Sequence, residues 1–164
     1  MNRIVALVLV CACALCSCGE REESARSMID RVRGEYADVL GAVSVYYSDA
    51  EEGEAGHIDE GLIAAMLGEG GVPAEMQNVE EYAFLCSAQI ALCEVWAVRC
   101  RTYSGAREVY ALFEKRKKLI CGPDYEDPHD AGAAAGATLM RLGRFVFFAV
   151  NEKGAEIVEL LAGE

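Results

Sequence analysis

One stretch near the C-terminus leaves this chain few architectures: Thr138 to Leu142, then Gly143-Arg144, then Phe145 to Val150. Two β-type runs joined by two residues, with glycine at the first turn position, read as an antiparallel hairpin. An earlier pair, Glu81 to Cys86 and Glu94 to Arg101, repeats the pattern. In its second run Val95, Ala97, Arg99 and Arg101 alternate with Trp96, Val98 and Cys100, and the latter three are expected to face inward. Between the pairs lies an amphipathic helix from Gly105 to Ile120, with Ser104 as its expected cap. Val109, Leu112, Phe113, Arg116 and Ile120 form its inner stripe, with the Arg116 stem at the edge. Cys121-Gly122-Pro123 stops it.

The remaining segments add helices. Ser24 to Leu40 carries Met28, Val32, Tyr36 and Val39 at helical spacing and ends at Gly41. Val43 to Tyr47 suits a short strand. Asp59 caps a short helix through Leu67, stopped by Gly68, and Pro73 opens a helical turn to Gln77. Asn151 is expected to cap a terminal helix whose Ile157, Val158, Leu160 and Leu161 face the core. The expected fold is α+β: an antiparallel sheet of about four strands, order α-β-β-α-β-β-α, with helices covering one face. The 164 residues, 53% of them hydrophobic, suit one such domain over residues 24–164.

The N-terminus reads as an address. After Arg3, Ile4 to Leu15 is a charge-free apolar run of twelve residues. As a helix it would rise about 18 Å, short of the ~30 Å hydrocarbon core, so it suits a signal-peptide core and not a membrane span. Leu15-Cys16-Ser17-Cys18 follows, and this resembles a bacterial lipobox. The resemblance implies a signal peptide over residues 1–17, cleavage after Ser17, a diacylglyceryl group on the Cys18 thiol and a tether over residues 18–23. Val10-Cys11-Ala12-Cys13 is a poorer site of the same kind, and ordinary secretory cleavage near Ala12-Cys13-Ala14 is the competing reading. Two or more acyl chains anchor a protein stably where one is marginal. The expected location is the outer face of a bacterial cell membrane.

Charge sorts the partners. The whole chain carries −12, and loss of Arg3 takes this to −13. From Gly34 to Val98 there is no Lys or Arg against thirteen acids, whereas Arg99 to Lys118 holds seven cations and two acids. So acidic a chain is a poor nucleic-acid binder. Lys115, Lys117 and Lys118 mark a cationic contact face, to be weighed against a merely solvated helix surface.

Four of the eight cysteines lie within the first eighteen residues. Cys86, Cys93, Cys100 and Cys121 remain, and in an exported protein they allow two disulfides in three connectivities, or free buried thiols. A tight turn at Gln89-Ile90 would set Cys86 opposite Cys93 and close enough to bond.

From Ser24 onward the pattern also resembles a family of small lipoproteins of Gram-positive bacteria that carry a domain of unknown function. Val79-Glu80-Glu81-Tyr82-Ala83-Phe84, Glu94-Val95-Trp96-Ala97-Val98, the helix Ala106 to Ile120 and the hairpin Leu142 to Phe148 carry that likeness. It implies a lipid-anchored α+β domain and a longer loop, Ser87 to Cys93, in place of the tight turn. It implies no active site.

The catalytic search is sparse. The sequence has no GxSxG elbow, HExxH, P-loop or dinucleotide fingerprint. His57 and His129 lie in acidic stretches. Asp124, Glu126, Asp127, His129 and Asp130 lack the spacing of a calcium loop, so no metal and no cofactor is expected. The expected role is a non-enzymatic, lipid-anchored binding or envelope-structural domain whose partners are the membrane, through the lipid, and an envelope protein or small ligand. The alternatives are a thiol-dependent factor or hydrolase using the four cysteines, and an accessory solute-binding lipoprotein.

Overall fold

A computed structural model describes residues 23–68, 70–87, 93–121 and 131–163. Along the chain run α1 (Ala25–Glu35), α2 (Ala37–Leu40), β1 (Val43–Tyr47), α3 (Glu60–Leu67) and a 3-10 turn (Ala74–Asn78). Then come β2 (Val79–Ser87), β3 (Glu94–Cys100), α4 (Tyr103–Ile120), α5 (Ala131–Ala135), β4 (Thr138–Leu142), β5 (Phe145–Val150) and α6 (Gly154–Ala162).

The five strands form one antiparallel sheet in the order β1-β2-β3-β5-β4. The two expected hairpins supply four strands, and Val43–Tyr47 adds the fifth at the β2 edge. Gly143 sits at the turn between β4 and β5 with φ +61°, the first position of a hairpin turn that glycine fills without strain.

Helices cover both faces of the sheet, not one. Ala83, Leu85, Val95, Ala97, Phe147 and Ala149 pack against Met28, Ile29 and Val32 of α1 and Ile157, Val158 and Leu161 of α6. Phe84, Trp96, Val98, Val146, Phe148 and Val150 pack on the other face against Ala106, Val109, Phe113 and Ile120 of α4 and Ile63 of α3. Trp96, Val98 and Cys100 are inward as expected, but Val95 and Ala97 are equally buried. The central strands are buried on both sides, so they read as near-continuous apolar runs and not as alternation.

Three helix ends differ from expectation. Tyr36, at φ −110° and ψ 21°, divides Ser24 to Leu40 into α1 and α2; this turns Val39 outward to 41% exposure and buries Leu40. Helix α4 begins one turn-half earlier than expected, because extended Thr102, not Ser104, accepts from Gly105 N at 3.0 Å. Asn151 does not cap α6. It is buried, its Oδ1 accepts from Lys153 N, and the helix starts at Gly154. Asp59 caps α3 as expected, accepting from Leu62 N at 2.8 Å, and Gly68 ends it.

Candidate functional site

Cys18, its tether through residue 22, and the acidic stretch from Asp124 to Asp130 lie outside the described residues. The described cysteines are all free thiols. Cys86 pairs with Glu94 across β2 and β3, not with Cys93, so the register differs by one residue from the tight hairpin. A one-residue shift reverses the face of every side chain. Cys86 therefore sits on the α4 side of the sheet, and Cys93 on the α1/α6 side. Ser87 N donates to Cys93 O at 2.8 Å, which extends that same register to the strand ends.

Burial pushes the Cys93 thiol up to about 11, partly opposed by its hydrogen bond from Asn151. Burial likewise raises Cys100 to about 11. Cys86 is raised by burial first and then by the negative charge of Glu94, against the lowering effect of Arg116. These three thiols stay protonated at neutral pH, whereas the thiolate is the nucleophile and the metal ligand. Among the described residues no cluster of His, Cys, Asp and Glu is arranged to hold a metal ion.

A buried polar cluster occupies the end of β3. Glu94 is almost fully buried, and Trp96 Nε1 donates to its Oε1 at 2.6 Å. Arg116 of α4 reaches Glu94 Oε2 with Nη2 at 2.8 Å and Nε at 3.3 Å. The sequence held a signal for this pair. Glu94 shares strand parity with Trp96 and Val98, so it points inward and needs a cation, and Arg116 is the one cation on the inner stripe of α4.

Arg116 also looks outward. It lines an open groove of about 870 Å³ between α3, the Gly68 to Pro73 connection and α4. Met66, Leu67, Val72 and Leu112 give it an apolar lining, and Leu119 at 69% exposure stands on its rim. Lys115 and Lys118 line the α4 bank, and Glu75 faces Lys115 at 3.8 Å. That ion pair is exposed and weak. The expected cationic face is thus divided. Lys115 and Lys118, three residues apart, share the groove, while Lys117 is half-buried and does not line it. Lysines two apart diverge by about 200° around a helix.

No family model, curated protein or solved structure matches the chain. Among the described residues no helix is long and apolar enough to cross a membrane.

Proposed function

We propose that this chain is a lipid-anchored extracytoplasmic binding domain, tethered through Cys18, whose α3/α4 groove takes an acidic segment with an apolar face from an envelope protein. One observation carries the binding half of this reading. In a chain of net charge −12, two lysines and the most exposed large apolar side chain of the described residues line one groove. Apolar area supplies affinity, and local charge selects the partner and its register. The Arg116 guanidinium at the groove wall is already met by the Glu94 carboxylate, so the positive charge offered to a partner is that of Lys118 and of Lys115, which the weak contact with Glu75 only partly offsets. The anchoring half rests on Leu15-Cys16-Ser17-Cys18 at the end of the apolar run. Thiol chemistry is the poorer reading, because Cys86, Cys93 and Cys100 are all held toward the protonated form.

Two measurements test the two halves. Mass spectrometry of detergent-extracted protein should find a mature N-terminus at a diacylglyceryl-modified Cys18, and recovery of an unmodified N-terminus from the medium removes the anchor. For the groove, an amphipathic peptide bearing leucine on one face and glutamate on the other should bind the domain and lose affinity in the double variant Lys115→Glu and Lys118→Glu. Equal binding by wild type and double variant rejects the groove.

A further inference from the structure

We propose that the sheet end carrying the Gly143 turn rests on an anionic lipid bilayer, with Tyr103 and Leu142 entering the headgroup layer and Arg101, Arg107 and Arg141 meeting lipid phosphates. This inference rests on the Cys18 anchor, which sets the orientation, and not on the α3/α4 groove. The pairing registers gather one end of the sheet: Val79 lies opposite Cys100, and Phe145 lies opposite both Arg99 and Leu142. Ala25 N donates to Glu81 Oε1 at 3.0 Å, so α1 starts at this same end. Ser24, the cap of α1, follows Cys18 by six residues. Fully extended, that length of chain reaches about 20 Å at most. A lipid on Cys18 therefore holds this end of the sheet close to the bilayer.

The end presents the side chains that a bilayer interface accepts. Tyr103 at 60% exposure and Leu142 at 46% are two of the five exposed large apolar side chains among the described residues. They flank one turn: a Cβ on Gly143 would lie 3.7 Å from the Tyr103 ring, and Leu142 is the chain neighbour of Gly143. Tyrosine suits the headgroup level, where its ring is sheltered and its hydroxyl stays wet. Arg101 and Arg141 are exposed beside them, and Arg141 Nη1 donates to Gly143 O at 3.3 Å. Arg107 is exposed one helical turn beyond Tyr103, on the same face of α4.

Charge tilts this end. Glu80 and Glu81 are met by Arg99 at 3.5 and 3.2 Å, and Glu80 also by Arg144 at 3.0 Å. Glu108 accepts from Asn78 Nδ2 at 2.8 Å. The corner around β3, β5 and β4 thus sets Arg99, Arg101, Arg107, Arg141 and Arg144 against those three acids, a positive excess in a chain of net charge −12. Exposed Glu51, Glu52 and Glu54 follow β1 instead, and Asp59 and Glu60 open α3 beside Tyr82 of β2. Asp49 is engaged by Arg26 at 2.7 Å. In the order β1-β2-β3-β5-β4, four strand spacings separate β1 from β4. That is about 19 Å, roughly twice the screening length at physiological salt, so the two corners act separately. An anionic surface draws the hairpin corner down and holds the acidic corner away. From Tyr103 to Leu119 helix α4 rises about 24 Å, which keeps the α3/α4 groove clear of the bilayer.

The test reconstitutes the detergent-extracted protein in phosphatidylcholine vesicles, with or without phosphatidylglycerol, whose acyl chains carry bromine near the headgroup. Trp96 is the only tryptophan of the chain and is fully buried, so wild-type emission should not be quenched. Tyr103→Trp should show blue-shifted emission from the new indole that loses most of its intensity to bromine in the phosphatidylglycerol vesicles, and Leu119→Trp should lose none. Leu142→Trp should behave as Tyr103→Trp does, and it decides if the latter fails to fold. Adding Arg101→Glu and Arg141→Glu to Tyr103→Trp should abolish the quenching, whereas adding Lys115→Glu and Lys118→Glu should leave it. Equal quenching with and without phosphatidylglycerol overturns the proposal. Quenching of Leu119→Trp in place of Tyr103→Trp also overturns it, by setting the lysine face of α4 on the membrane. Mass spectrometry of the same preparation separates this inference from the anchor. A lipidated protein whose Tyr103→Trp and Leu142→Trp variants are both unquenched overturns this inference alone, and an unmodified Cys18 overturns the anchor and the orientation with it.

Discussion

The carboxylate of Glu94 and the guanidinium of Arg116 meet at 2.8 Å under the rim of the α3/α4 groove, and the Trp96 indole holds the other carboxylate oxygen. Breaking such a pair from the cationic side leaves a buried charge alone. Arg116→Leu should cost about 3 kcal/mol, the low end for buried pairs, since a fifth of the Arg116 side chain remains in water. Glu94→Gln should cost less, because the guanidinium it leaves behind keeps a fifth of its side chain in water, although the amide can accept from only one of Trp96 and Arg116 and turns its NH2 toward the other. Urea unfolding of the two variants measures the difference, and the reverse ranking would mean that the pair does not hold the end of β3.

Helix α4 offers a paired test of its start. Thr102 accepts from Gly105 N, whereas Ser104 lies inside the first turn and is exposed. Thr102→Ala should lose about 1 kcal/mol, as for other cap removals. Ser104→Ala should stay within about 0.5 kcal/mol. Thermal melts of both variants report this directly.

Phe113 carries the packing of the same helix. It is fully buried, with its ring 5.4 Å from Trp96 and 5.4 Å from Phe148. Phe113→Ala should destabilise the domain by about 3–5 kcal/mol through lost contact and a residual cavity. Lys117→Ala should change stability by about 0.5 kcal/mol or less. Denaturant midpoints of comparable size for the two would contradict the inner face of α4.

The thiols give a pH signature. Cys93 and Cys100 hold their protons up to about 11 in the folded domain, above the value of 9.0 for an unperturbed thiol. Between these values the folded state binds more protons than the unfolded one. Stability from these groups is therefore complete below about pH 9 and falls as pH rises toward about 11. Cys93→Ala with Cys100→Ala should flatten that alkaline limb. At neutral pH, alkylation of the native domain should label exposed Cys121 first and reach Cys93 and Cys100 only on unfolding.

What the sequence revealed was local. The Gly143 turn, the Asp59 cap and the Val109-Phe113-Ile120 stripe depend on residues within a few positions of each other, and each stands where periodicity placed it. The two-sided burial of β3 required knowing that α1 and α6 return to the second face, across more than a hundred residues. The β2–β3 register depended on the loop length between Ser87 and Glu94, and one residue there decided which face Cys93 joined. Thr102 and Ser104 are both competent caps by type, and the extended backbone at Thr102 selects it. Of the expected cationic face, Lys115 and Lys118 share the groove and Lys117 does not, a split that follows from helical angle but becomes meaningful only once α3 lies alongside.

Phe145 to Val150 has a second life whenever the domain is open. The six residues Phe-Val-Phe-Phe-Ala-Val carry no charge and no proline, and all six are buried between β3 and β4 in the folded sheet. Unpaired, such a window is a ready template for cross-β aggregation. Arg141 and Arg144 stand just before it and Glu152 and Lys153 just after it, where gatekeeper charges oppose stacking of one chain on the next. Refolding from denaturant should therefore lose yield steeply with protein concentration, and neutralising Arg144 should steepen that loss beyond its effect on native stability.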